Sequence, residues 1–199
     1  MQRVGVLENT EILFIGGSAG SFEVILNILS GLRKDMALAI VIVLHRKSRV
    51  ESNLTQLFDN RSTLRVKEAE EKEPILPGMI YVAPANYHLL IENDRTFSLD
   101  NSEKVQFSRP SIDVTFQSAA DVYRNTMAAL LLSGANSDGS EGLLAVANAG
   151  GLTIVQNPVS AEVSFMPRQA ILTTVVDYIL ETKDITEFIN NLSAAQLSE

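Results

Sequence analysis

No cysteine occurs among the 199 residues, which removes disulfides, thiolate metal sites and cysteine nucleophiles together. Histidine is almost as scarce. The two present, His45 and His88, are far apart and lack clustered carboxylates at ligand spacing, so neither a metal centre nor another cofactor is expected. No apolar run approaches the roughly 20 residues of a membrane span, and the first residues lack the charged and apolar regions of a secretion signal. With no disulfides to protect, a cytoplasmic location without membrane insertion is the expectation. Positive charge is in the minority as well, 16 Lys and Arg against 24 Asp and Glu, leaving a net charge of −8. Such a field repels phosphates, so nucleic acid is a poor partner. An acidic partner would have to meet a local basic patch, for which Arg46, Lys47 and Arg49 are the candidates.

What is present is ordinary globular material, with 46% hydrophobic and 20% charged residues. The length suits one domain, 1–199, with its core over about 11–192, and no stretch resembles a linker. Short apolar runs bounded by turn residues predict strands over 11–15, 38–44, 64–67, 128–132, 152–155 and 175–179. Helical patterns lie over 22–32, 51–59, 112–123, 139–149 and 165–172, with a further amphipathic helix over 184–192. This alternation predicts an α/β fold: a doubly wound, mainly parallel sheet flanked by helices. Residues 79–82, 87–92 and 96–99 are β-rich and separated by Pro, Asn and Asp, which predicts a small antiparallel β-hairpin insertion. Ser21 and Ser111 are the expected N-caps of two helices.

Three strand ends carry residues with chemical potential. The first strand runs into Gly16-Gly17-Ser18-Ala19-Gly20, small residues that allow a tight turn with convergent amide N–H groups. That device serves a structural turn, an anion cradle or a nucleophilic serine. G-x-G-x-x-G is not matched and no G-K-[ST] follows, which weakens the phosphate reading. The string fits G-x-S-x-G, yet the nucleophile elbow of α/β-hydrolases requires serine, acid and histidine in that chain order, and here a histidine comes early. His45 ends the second strand, where it is either the base that activates Ser18 or a hydrogen-bonded strand-end imidazole. Asp138, in Ser133-Gly134-Ala135-Asn136-Ser137-Asp138-Gly139, either orients that imidazole or caps the next helix. In a parallel sheet the carboxyl ends of strands face one crevice, which would bring all three to one rim. His88, in the predicted hairpin, is a further candidate for lining the site.

Taken together these segments resemble the catalytic domain of CheB-type chemotaxis methylesterases. The matching strings are Ile15 to Gly20, Leu44-His45, Leu76-Pro77-Gly78 with Tyr81-Val82-Ala83-Pro84, Arg109-Pro110-Ser111-Ile112-Asp113-Val114, Ser133 to Gly139, and Gln156-Asn157 with Met166-Pro167-Arg168. The resemblance implies a triad in the order Ser18, His45, Asp138, with the oxyanion held by the backbone N–H groups of Ala19 and Ala135. It implies hydrolysis of γ-glutamyl methyl esters to glutamate and methanol on a methylated chemoreceptor or similar helical protein, with deamidation of certain glutamines besides. The family usually has Thr and then Gly-Gly after the serine, and Met after the histidine. This chain has Ala19, Gly20 and Ser21, and Arg46. About ten residues precede the first strand where the family normally has a receiver domain, so any phosphorylation control is expected from a separate receiver protein. Two rival readings are a noncatalytic module of the same fold that binds receptor-like helices, and a nucleotide-binding domain.

Overall fold

The computed structural model describes residues 9–45 and 53–194. In chain order its elements are β1 (Ile12–Gly17), α1 (Phe22–Gly31), β2 (Ala39–Leu44), α2 (Leu54–Arg61), β3 (Val66–Glu68), β4 (Ile80–Val82), β5 (His88–Ile91), β6 (Phe97–Asp100), α3 (Ile112–Tyr123), β7 (Met127–Leu131), α4 (Ser140–Asn148), β8 (Leu152–Gln156), α5 (Phe165–Thr173), β9 (Tyr178–Leu180) and α6 (Ile185–Ala194). Seven strands pair in the order β3-β4-β2-β1-β7-β8-β9, and every pairing is parallel. β5 and β6 form a separate antiparallel pair.

β1, β2 and β7 are buried along their whole length because their two faces meet two different helical layers. Leu13 and Ile15 point with Ile40, Ile42 and Leu130 into a core shared with α1, α2 and α6. Ile12 and Phe14 point the other way, with Val41, Val43 and Ala129, into a core shared with α3, α4, α5 and the β5–β6 hairpin. The period of two in the sequence thus sorts each strand between two layers. Each fully buried Leu, Ile or Phe contributes roughly 1.5–3 kcal/mol by leaving water. The strand ends on which the site is mounted are correspondingly rigid.

The predicted hairpin region is divided differently from the expectation. Residues 80–82 are not part of the antiparallel insertion but form β4, a parallel strand hydrogen-bonded between β3 and β2. The reason is two-sided burial: Ile80 and Val82 enter one core while Tyr81 enters the other. Only 88–91 and 97–100 make the hairpin. Ser111 caps α3 as expected, its hydroxyl accepting from Val114 N at 3.4 Å, whereas the Ser21 hydroxyl makes no cap and donates to Ser18 O at 2.6 Å. Among the described residues no helix is long and apolar enough to cross a membrane.

Candidate active site

After β1 the chain pairs β2 on one side of it and, much later, β7 on the other. The crevice where the strand order diverges is where open α/β sheets place ligands, and the three singled-out residues lie there. Gly17 of β1 is in register with Leu44 of β2, and His45 N donates to Gly17 O at 3.2 Å. Ser18 and His45 therefore directly follow paired positions at the ends of adjacent strands.

Ser18 sits on a turn closed by Ser21 N donating to Ser18 O at 3.1 Å. The left-handed residue of this turn is Gly20, at φ +79°, where a Cβ would lie 2.7 Å from both the Glu162 and Ser133 side chains. Ser18 itself is not at positive φ, so the geometry is not that of the nucleophile elbow despite the matching string. Ser133 ties this turn to the one after β7: its carbonyl accepts from Ser18 N at 2.9 Å, and its buried hydroxyl lies 2.8 Å from Ala19 O. Gln156 holds Ser133 in turn, accepting from its N–H at 2.8 Å.

Asp138 is fully buried, and its two oxygens accept from four donors: His45 Nε2 at 2.6 Å, Ser111 Oγ at 2.8 Å, Ile112 N at 2.8 Å and Asp113 N at 2.9 Å. Burial alone would raise its pKa, but the His45 hydrogen bond and the N–H groups of Asp113 and Ile112 outweigh it and hold the carboxyl below its ordinary value. Asp138 thus holds the His45 imidazole by hydrogen bond but does not cap α4, the helix that follows it in the chain; the helix start whose N–H groups it takes is that of α3.

With Nε2–H directed at Asp138, the neutral imidazole keeps its lone pair on Nδ1. That nitrogen lies 3.4 Å from Ser108 Oγ, which also takes Asn136 Nδ2 at 3.4 Å. The Ser18 hydroxyl makes no hydrogen bond among the described residues, so the serine–histidine bond is open in this state. Such bonds commonly tighten only once substrate binds.

Ala19 and Ala135 are exposed, and among the described residues neither backbone N–H donates to a protein acceptor. Of the remaining candidate residues, His88 is 1% exposed and does not open on the crevice: Nε2 donates to Glu103 O at 2.9 Å while Nδ1 accepts from Ser111 N at 3.2 Å. It fastens the start of α3, a structural task that an isolated histidine in a β-rich stretch gives no means of recognising. Arg46, Lys47 and Arg49 lie outside the described residues.

Sequence reasoning assigned no role to Asp113, which is buried directly behind Asp138. Its carboxylate accepts from Gly139 N at 2.8 Å, Gly142 N at 2.7 Å and Gln106 Nε2 at 3.0 Å. Burial pushes its pKa up to about 7, and the charge of Asp138 adds to that against the lowering by the Gly142 and Gly139 N–H groups. An acidic residue in a first helical turn was the one available signal. Ser108 had none, being 63 residues from the histidine it faces.

A family model, CheB methylesterase, matches residues 13–189. The chain belongs to the CheB methylesterase family. A Leptospira interrogans protein provisionally named protein-glutamate methylesterase/protein-glutamine glutaminase is 45% identical over 191 residues, covering 96% of this chain and 99% of that one. The protein-glutamate methylesterase/protein-glutamine glutaminase of Thermotoga maritima is 34% identical over 180 residues, covering 89% of this chain and 52% of its own, and that of Halobacterium salinarum is 36% identical with the same coverage. The chain therefore spans about half the length of these two. The crystal structure of the Thermotoga maritima CheB methylesterase catalytic domain superposes with a TM-score of 0.87 at 33% identity, over 92% of this chain and 98% of that one.

Proposed function

We propose that the chain is a protein-glutamate methylesterase, also able to deamidate glutamine, that works through Ser18, His45 and Asp138 on a methylated chemoreceptor or similar helical protein in the cytoplasm. The observation that carries the residue assignment is the rim itself. A serine whose hydroxyl has no hydrogen-bond partner among the described residues and a histidine backed by a buried carboxylate follow neighbouring strand ends, and no described acceptor takes the N–H groups of Ala19 and Ala135.

In this mechanism His45 Nδ1 takes the Ser18 proton as Oγ attacks the ester carbonyl. The carbonyl oxygen becomes an oxyanion, which the N–H groups of Ala19 and Ala135 stabilise. Collapse breaks the bond to the methoxy oxygen, and His45 returns the proton to release methanol. Water then attacks the acyl-serine with His45 again as base, freeing glutamate and restoring Ser18. A glutamine follows the same course with ammonia as the leaving group. Asp138, kept ionised by its donors, stabilises the imidazolium without taking its proton. A purely binding module would need the Asp138 carboxylate only to cap α3 and has no use for an imidazole held against it next to a serine.

The test is methanol release from a methylated receptor fragment, with a labelled fluorophosphonate to report nucleophilic serine. Ser18→Ala and His45→Ala should each abolish release, by about 10⁶-fold in a comparable protease triad, and Asp138→Asn by about 10⁴-fold. Near-normal turnover by folded Ser18→Ala, or labelling at another serine, would overturn the assignment.

A further inference from the structure

The turn between β6 and α3 combines backbone strain, anchoring and exposure at the edge of the site. Val105 and Ser108 exchange both backbone hydrogen bonds, at 3.2 and 2.8 Å, closing a two-residue loop. Its inner residues, Gln106 at φ +47° and Phe107 at φ +64°, are both left-handed. Asn-Gly is the usual occupant of such a loop, because a Cβ is strained there.

The positions on either side of Phe107 have local reasons. Gln106 bridges Asp113 and Ser137, donating to Asp113 Oδ2 at 3.0 Å and accepting from Ser137 Oγ at 2.8 Å. Ser108 faces His45 Nδ1 and Asn136. Phe107 has none: the residue is 96% exposed, more than any other large hydrophobic residue described. It is held on a pinned turn one residue from the contact with His45, strained and without a compensating contact among the described residues.

We propose that Phe107 is a docking anchor that packs on the apolar stripe of the helix carrying the esterified glutamate. This rests on the methylesterase reading. An ester presented to Ser18 brings its helix past this turn, and residues three and four positions away lie on the same helix face. Net charge explains why the anchor is apolar: a chain at −8 gains little long-range attraction for glutamate-rich helices, whereas apolar burial does not weaken as salt screens charge.

The variants are Phe107→Gly and Phe107→Asn in the full chain, both at ease with positive φ. The thermal midpoint should hold or rise, and hydrolysis of p-nitrophenyl acetate should stay within twofold. KM for a methylated receptor fragment should rise about tenfold with little change in kcat, the scale of losing one buried aromatic contact. Binding of the same fragment to Ser18→Ala, with and without Phe107→Gly, reads docking apart from chemistry and should weaken equally. That difference should persist from 0.05 to 0.5 M salt. An unchanged affinity would overturn the proposal. So would an equal loss on the small ester, which would place the defect at His45, or a dimer in the wild type that Phe107→Gly dissolves. Failure of methanol release with docking intact would count against the hydrolase reading alone.

Discussion

Two carboxylates share the ground beneath His45, and their surroundings push them apart. Asp138 is held below its ordinary value by the His45 hydrogen bond and the N–H groups of Asp113 and Ile112, while burial pushes Asp113, 4% exposed and facing that charge, up to about 7. An acid whose folded value is raised binds its proton more tightly folded than unfolded, so Asp113 costs stability as pH rises from its ordinary 3.8 towards 7 and costs it fully above. Asp113→Asn keeps an oxygen for the Gly139 and Gly142 N–H groups and removes the charge. It should be more stable than the wild type at pH 8, by at most about 4 kcal/mol for roughly three pKa units, and the gain should vanish below about pH 4. Asp138 works in the opposite sense: its contribution is present above the unfolded carboxylate value and is lost as pH falls through its lowered folded value. Urea unfolding at several pH values checks both, and a stability difference that ignores pH would refute the assignment of a charge at Asp113.

Helices α3 and α4 are joined at their N-termini by an exchange of carboxylates. The acid that precedes α4, Asp138, accepts from Ile112 N and Asp113 N of α3, and the acid of α3, Asp113, accepts from Gly142 N of α4 and from Gly139 N just before it. Each satisfies N–H groups that a helix start leaves unpaired. The exchange requires the helices to lie close, and Gly142 permits it: a Cβ there would fall 2.7 Å from Phe116 Cβ and 3.0 Å from Asp113 Cα. Gly142→Ala therefore sets two effects against each other. Helix propensity favours alanine by about 1 kcal/mol, while forcing a methyl into a filled contact costs about 1–3 kcal/mol. Overpacking should win, because a backbone atom cannot swing aside as a side-chain tip can. The melting temperature should fall by several degrees, and kcat should fall with KM little altered, since Asp138 moves with α4. A rise in melting temperature would show that α3 yields at no cost.

At the scale of the whole molecule, charge and apolar contact make opposite demands on the approach to the glutamate-rich helix proposed as substrate. Arg46, Lys47 and Arg49 follow His45 directly in the chain, so cations concentrated there would offset a net charge of −8 during encounter. Their joint replacement by Glu should raise KM for the protein substrate and leave a small neutral ester nearly untouched. That defect should shrink as salt rises, because screening acts over about 8–10 Å at ordinary ionic strength, whereas the Phe107 defect should not. Initial rates on both substrates across a salt series separate the two, and equal losses on both substrates would mean that His45 itself had been disturbed.

The alternation of apolar runs with helical patterns by itself determined the layered α/β architecture, because two-sided burial writes uninterrupted apolar strands and one-sided packing writes a 3.6-residue period. The ends of β2 and β7 were legible to within a residue for the same reason; Ser18 and His45 directly follow β1 and β2, and Asp138 lies in the loop between β7 and α4. Tertiary structure decided what no local period encodes: that residues 80–82 lie inside the parallel sheet, that His88 and Ser21 serve the backbone, that Asp138 caps α3 while orienting the imidazole through Nε2, and that Asp113 and Ser108 complete the setting. Each of these depends on partners brought together from distant parts of the chain, and a hydrogen bond across 93 residues, such as that between His45 and Asp138, is made only when the sheet has chosen its strand order.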